Sequence, residues 1–155
     1  MSFELPDQHT IHETEGDRER QQIIIKAFAK RFGYTVEFTP QLHEQDAKLY
    51  KNGALAALAE AKYRNNSIGL YANYKVDCQK VDSLKERAKA AGVPGYLIVS
   101  WEGDIRWVDV TEAWRNWSSA DDLVWDIGSI KRRNRAEEAD PAYCIPTDEK
   151  TFIRL

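Results

Sequence analysis

The stretch that most constrains this chain is Leu55–Tyr63, an apolar run that ends in Glu60-Ala61-Lys62. It is preceded by Lys51-Asn52-Gly53 and, before that, by Asp46-Ala47-Lys48-Leu49-Tyr50. Asn-Gly between two such runs is a strong hairpin signal, because both residues accept the positive φ that a tight turn demands. The chain therefore turns back here, and residues 54–63 return as a strand. Alternation then places Glu60 and Lys62 on one face and Ala59, Ala61 and Tyr63 on the other. A carboxylate and an ammonium at the end of an apolar strand have two readings. One is an ion pair where the strand meets solvent, contributing well under ~1 kcal/mol. The other is a metal ligand beside a catalytic lysine.

The register of the hairpin decides between them. A two-residue Asn52-Gly53 turn pairs Lys51 with Ala54 and so Asp46 with Ala59, which turns Asp46 away from Glu60. A three-residue Lys51-Asn52-Gly53 turn pairs Tyr50 with Ala54 and so Asp46 with Leu58. Asp46 then lies on the face of Glu60 as its diagonal neighbour, roughly 5–8 Å away between Cβ atoms. A metal site requires the three-residue turn or an equivalent bulge.

The flanking elements define the fold class. Thr14-Glu15-Gly16-Asp17 carries the hydroxyl-x-x-acid spacing of a helix start, and the helix runs to about Phe32 with Gly33 as its stop. Ile24, Phe28 and Phe32, with Ile25 beside them, mark its buried face. Tyr34–Phe38 alternates as a strand closed by Pro40, and Asp46–Tyr50 is a second, shorter one. Arg64 to Tyr74 reads as a polar, mobile connection. Asp77 caps a helix over 78–91 with Val81, Leu84, Ala88 and Ala91 buried and Gly92 as the stop. Lys80 falls in its first turn, against the helix dipole, a mild cost that hints at another duty. Gly95–Trp101, started by Pro94, is near-continuously apolar, as in a strand buried on both faces. Ile105–Val110 alternates as an edge strand. The order α, β, hairpin, α, β, β predicts an α/β (α+β) domain: a mixed central sheet flanked by helices on both faces.

The signal weakens from Thr111 to Leu155. Trp114, Trp117 and Trp125 are spread through short elements, Ala142–Pro146 is a short strand, and Phe152 with Leu155 packs the tail back on the sheet. Lys131-Arg132-Arg133-Asn134-Arg135 is the one dense basic run, followed at once by Glu137, Glu138 and Asp140. It reads as a solvated loop or as a phosphate-contacting one.

At 155 residues the chain is expected to form a single domain, 1–155, with a loose leader over 1–13 and a C-terminal extension over 111–155 packing on the core. No apolar run is long enough to span a bilayer, and the acidic N-terminus lacks a signal-peptide core, so a cytoplasmic protein is expected. Cys78 and Cys144 have no zinc-ligand spacing and are expected to be reduced thiols. His9, His12 and His43 lack partners at ligand spacing. A net charge of −3 excludes global attraction to nucleic acid and leaves that task to local basic patches. No glycine-rich phosphate loop or Ser-His-Asp order is present, and no organic cofactor is expected.

Asp46, the hairpin, Glu60-Ala61-Lys62 and then Lys80-Val81-Asp82 on a helix together resemble the PD-(D/E)xK nuclease superfamily, closest to small phage and prophage nucleases and Holliday-junction-resolvase-like proteins. The resemblance covers about residues 14–110, and Ile145-Pro146 with Phe152 is similar to the tail of that subgroup. Gln45 stands where the family name has proline. The resemblance implies a restriction-endonuclease-like αβββαβ core and metal-dependent hydrolysis of DNA. Asp46, Glu60 and the backbone carbonyl of Ala61 would hold Mg²⁺ or Mn²⁺. Lys62 would orient or deprotonate the attacking water, or stabilise charge on the phosphate. Lys80, with Gln79 beside it, would contact the scissile phosphate or water. A helix-1 acid joins the site in many members, and Glu19 is the candidate, with Glu15 behind it. Lys75, Gln79, Lys80, Arg132 and Arg133 would contact DNA, and Tyr71 or Tyr74 would stack on exposed bases. Junction-cutting members of this fold act as dimers, since two symmetric cuts need two sites, so a homodimer is expected if the substrate is a junction. A catalytically inactive binding module on the same fold is the alternative.

Overall fold

The computed structural model of the chain describes residues 15–40, 46–70, 73–111, 124–132 and 135–155. The elements are α1 (Glu15–Phe32), β1 (Thr35–Phe38), β2 (Ala47–Lys51), β3 (Ala54–Arg64), β4 (Asn73–Asp77), α2 (Cys78–Ala91), β5 (Gly95–Trp101), β6 (Asp104–Asp109), β7 (Val124–Arg132), β8 (Arg135–Pro146) and β9 (Ile153–Arg154). A short 3₁₀ turn, Ile68–Leu70, follows β3.

α1 buries Ile24, Ile25, Phe28 and Ala29 against Ala47 and Leu49 of β2, Ala57, Ala59 and Ala61 of β3, and Ile98 of β5. The alanines on this face of β3 let the helix lie close on the sheet. Phe28 also meets Tyr96 and Trp107 edge-on or tilted, at centroid distances of 5.1 and 5.7 Å, the geometry aromatic rings prefer. The helix ends at Gly33, and the Lys51 ammonium donates to the carbonyl of Phe32 at 3.1 Å, satisfying one carbonyl of the last turn. On the opposite face, Val81, Leu84 and Ala88 of α2 pack on Leu58, Leu97, Val99, Trp101 and Val108. Gly95 makes this approach feasible: a Cβ there would lie 3.1 Å from both Ala88 Cβ and Leu84 Cγ. Each fully buried Leu, Ile or Phe contributes about 1.5–3 kcal/mol relative to exposure.

The central sheet has the order β1-β2-β3-β5-β6-β9. Among the described residues only β3 and β5 run parallel, joined by the crossover that contains α2. The mixed sheet between two helices is the expected architecture. β6 differs from expectation, because β9 pairs with it through Arg106↔Arg154 and Trp107↔Ile153 and covers what would have been an edge.

The hairpin takes neither of the two simple forms. Its turn is the two-residue one: Lys51 pairs with Ala54, and Asn52 and Gly53 both have positive φ, 54° and 81°. That is the pattern of a type I′ turn. The register then slips between Tyr50 and Leu49, from Tyr50↔Leu55 to Leu49↔Ala57, leaving one extra residue on β3. The three-residue turn is thus corrected to a tight turn followed by a β-bulge. The bulge has the same consequence for parity. Ala47 pairs with Ala59, which carries Asp46 opposite Glu60 rather than Ala59.

Residues 73–77 are a strand rather than part of a polar connection. β4 forms a second, three-stranded sheet in the order β4-β8-β7, pairing Tyr74 with Ile145 and Val76 with Tyr143. Tyr74 and Val76 are buried with Ile145 and Phe152 against the α2 face of the central sheet. The basic run 131–135 falls at the β7–β8 hairpin, with Arg132 ending β7 and Arg135 opening β8. Trp125 lies in β7. Trp114, Trp117, Tyr71, Arg133 and the three histidines lie outside the described residues. Phe152 is fully buried against Tyr74 and Trp101, and Leu155 packs against the α1-side cluster. Among the described residues no helix is long and apolar enough to cross a membrane.

Candidate active site

The β2–β3 ladder ends at Ala47↔Ala59, but β3 continues to Arg64 with β5 paired along its other edge. From Glu60 onward one edge of β3 is therefore left by β2, and Asp46 stands at that fork. Its backbone N–H donates to the carbonyl of Ala59 at 3.0 Å. Its carboxylate Oδ2 accepts from the Ala61 N–H at 2.7 Å. The side chain thus takes the next acceptor position that β2 would have supplied. A strand residue directs its N–H and C=O to the same side, so the Ala61 carbonyl faces this open edge beside Asp46.

Glu60 projects to the α2 side and is 2% exposed. Two ammonium groups approach the same oxygen, Oε2: Lys62 Nζ at 3.8 Å and Lys80 Nζ at 4.0 Å. These are ion contacts rather than tight hydrogen bonds. A buried carboxylate requires compensating charge, and the two lysines supply it. The position of Lys80 in the first turn of α2 has its explanation here, since it faces Glu60 across the β3–α2 interface.

Two further residues belong to the neighbourhood: Arg64, which the sequence reading does not single out, and Tyr74, which it expects to stack on bases. Arg64 follows Glu60 and Lys62 at the same alternation, with its guanidinium 4.8 Å from the ring centroid of Tyr74. Burial pushes the Tyr74 phenol up to about 12; the Glu60 charge adds to the rise and Arg64 opposes it. Tyr74 is therefore a buried wall of the site, not an exposed stacking platform. The Glu-x-Lys-x-Arg alternation of 60, 62 and 64 was the available signal for Arg64.

The helix-1 acid is placed differently from expectation. Glu19 is exposed, as is Ile23 one turn later at 65%. The buried stripe instead runs through Gln21, Ile24, Ile25 and Phe28. Among the described residues no three His, Cys, Asp or Glu side chains gather around a point that could hold a metal, so Glu19 does not join Asp46 and Glu60. Glu15 opens α1. Gln79 is exposed beside Lys80, and Lys75 lies in β4. The residues of the fork that could hold a cation are the Asp46 and Glu60 carboxylates and the Ala61 carbonyl. All are hard oxygen donors, the type that Mg²⁺ and Mn²⁺ take.

An acid on one strand of a splayed hairpin, Glu-x-Lys on the next, and helices on both faces of a mixed sheet define the class of PD-(D/E)xK nuclease folds. Within it, residues 8–149 match the family described as "Phage putative PDDEXK endonuclease", and the chain belongs to that family. Two solved structures share the fold. One is Hjc, a Holliday junction resolvase from Archaeoglobus fulgidus, an archaeal hyperthermophile. It has 12% identity and a TM-score of 0.51, covering 83% of this chain and 82% of that one. The other is D212, a nuclease from a fusselovirus, with 16% identity and a TM-score of 0.50, covering 94% and 88%. No curated protein matches the sequence.

Proposed function

We propose that this chain is a divalent-cation-dependent nuclease that hydrolyses phosphodiester bonds in DNA, with branched DNA as its preferred substrate, acting in the cytoplasm of a phage-infected host. The observation that carries the reading is the bulged register, which sets Asp46 opposite Glu60 and beside the Ala61 carbonyl, with Lys62 and Lys80 at the same carboxylate. The Asp46 and Glu60 carboxylates and the Ala61 carbonyl would hold Mg²⁺ or Mn²⁺. The cation, when bound, polarises the scissile phosphate and acidifies the attacking water. Lys62, its side chain 27% exposed at the rim of the site, orients that water or hydrogen-bonds a phosphate oxygen. Lys80 neutralises charge building on the phosphate. Arg64 and Lys80 extend a cationic path along the α2 side of β3, which gives the acidic chain a local attraction to a phosphodiester backbone. Two such sites in a homodimer would serve a symmetric branched substrate.

The test is cleavage of end-labelled linear duplex, single strand and four-way junction in Mg²⁺, Mn²⁺ or EDTA. Cutting in either metal and none in EDTA, strongest on the junction, is the expected result. Absence of cutting on all three, with retained binding, would replace the enzyme by a binding module.

A further inference from the structure

Tyr63 follows Lys62 and turns to the other face of β3, the α1 side, where it is 41% exposed. Ala59 and Ala61 on the same face are fully buried under α1, so the cover of the helix ends between Ala61 and Tyr63. The guanidinium of Arg20, in the second turn of α1, lies 5.1 Å from the Tyr63 ring centroid and is tied to Asp17 at 2.9 Å. A single exposed tyrosine is ordinary on a protein surface. The edge that this one stands on is not. The Ala59 carbonyl and the Ala61 N–H both point toward Asp46, while the Arg64 carbonyl accepts from Glu102 on the β5 side. By the same alternation the N–H and C=O of Tyr63 face the edge that β2 has left. Among the described residues no strand pairs with β3 along that edge beyond Ala59. Tyr63 thus offers one ligand a backbone N–H at the open edge and an aromatic ring, backed by a cation, on the α1 side. It stands two residues from Ala61, about 7 Å along the strand, within reach of the base of a nucleotide whose phosphate lies at the fork.

We infer that Tyr63 stacks on the base of an unpaired nucleotide adjoining the scissile phosphate, with Arg20 backing the ring. The inference rests on the nuclease reading above and narrows its substrate. A base inside a continuous duplex is paired and stacked on its neighbours, and extruding it costs free energy. A base at a branch point, in a flap or in a single strand has a face to offer, and stacking on an aromatic side chain is indifferent to which base it is. The phosphodiester that this site takes is therefore one beside an unpaired nucleotide.

The experiment uses the full chain and the variants Tyr63→Leu and Tyr63→Trp, each assayed at a temperature where circular dichroism shows it folded. Binding of a fluorescein-labelled oligothymidylate and of an abasic strand of the same length is followed by anisotropy in EDTA. Cleavage of linear duplex, single strand and four-way junction is followed in Mg²⁺. Wild type should prefer the strand that carries bases by about 10-fold or more. Tyr63→Leu should lose most of that preference with an unchanged salt slope, because no charge is removed, and should cut the single strand and the junction more slowly. Tyr63→Trp should keep both properties. A wild type that cuts DNA but binds the two strands equally overturns the inference and leaves the nuclease reading standing, as does a Tyr63→Leu that keeps the preference or weakens on both strands alike. A wild type that cuts no substrate overturns both.

Discussion

The carboxylate of Asp46 accepts a hydrogen bond from the backbone N–H of Ala61, at 2.7 Å, across the point where β2 leaves β3. This contact ties the acid to the residue between Glu60 and Lys62, so the loop side of the hairpin and the Glu-x-Lys strand cannot drift apart without breaking it. The same contact gives Asp46 a structural and a chemical role, and two substitutions separate them. Asp46→Ala leaves the Ala61 amide without its acceptor and should destabilise the protein by about 1–3 kcal/mol. Asp46→Asn keeps an oxygen acceptor and should melt close to wild type. Both should abolish metal-dependent cleavage. Thermal melts beside the cleavage assay check the pair, and an active Asp46→Asn would remove Asp46 from the mechanism.

Gly53 tests the turn without touching the site. Its φ is +81°, and a Cβ there would meet nothing within 4 Å. Gly53→Ala should therefore carry only the backbone cost of the left-handed conformation, about 1–2 kcal/mol. Urea unfolding should show that loss, while the turnover rate under stabilising conditions stays at the wild-type value.

Arg64 and Lys80 are predicted to contact DNA phosphates. Replacing either with alanine should weaken binding equally across sequences and lower the slope of log K against log salt by about 1. Fluorescence anisotropy over a salt series measures both. Lys80→Ala should also slow cleavage, because Lys80 sits 4.0 Å from Glu60.

Tyr74 gives the fold an alkaline limit. Its phenol ionises near 10 in the unfolded chain and is pushed up to about 12 in the folded one by burial. Between those values the unfolded chain has lost a proton that the folded chain retains, so stability falls as pH rises through this window. The contribution is complete below pH 10 and lost above about 12. Unfolding free energies from pH 9 to 11.5 should decline more steeply for wild type than for Tyr74→Phe.

Much of this was legible in the residues themselves. The hairpin was announced by Asn52-Gly53, the helix faces by the spacing of Ile24 with Phe28 and of Val81, Leu84 and Ala88, and the buried strand by Gly95–Trp101. The bulge was not, because Leu55-Ala56-Ala57-Leu58 offers small apolar residues that fit either register, and only packing of Ala57, Ala59 and Ala61 under α1 selects one. β4 is less legible, although Tyr74-Lys75-Val76-Asp77 alternates. Its partner, β8, lies far along the chain and gives no local sign of the pairing. Glu19 has the charge of a helix-1 ligand but not the position. The helix instead turns Gln21 inward, one stripe away, because Ile24, Ile25 and Phe28 fix which side of α1 meets the sheet.

The central claim is that the Glu60 carboxylate and the Lys62 ammonium, 3.8 Å apart at the fork with Asp46, are chemistry and not a surface ion pair. The most direct measurement is cleavage of labelled duplex, single strand and four-way junction by wild type and Lys62→Ala in Mg²⁺ and in EDTA. The account predicts Mg²⁺-dependent cutting by wild type and a loss on the order of 100-fold or more in Lys62→Ala, assayed at a temperature where circular dichroism shows the variant folded. Metal-dependent cutting that survives Lys62→Ala undiminished would contradict it.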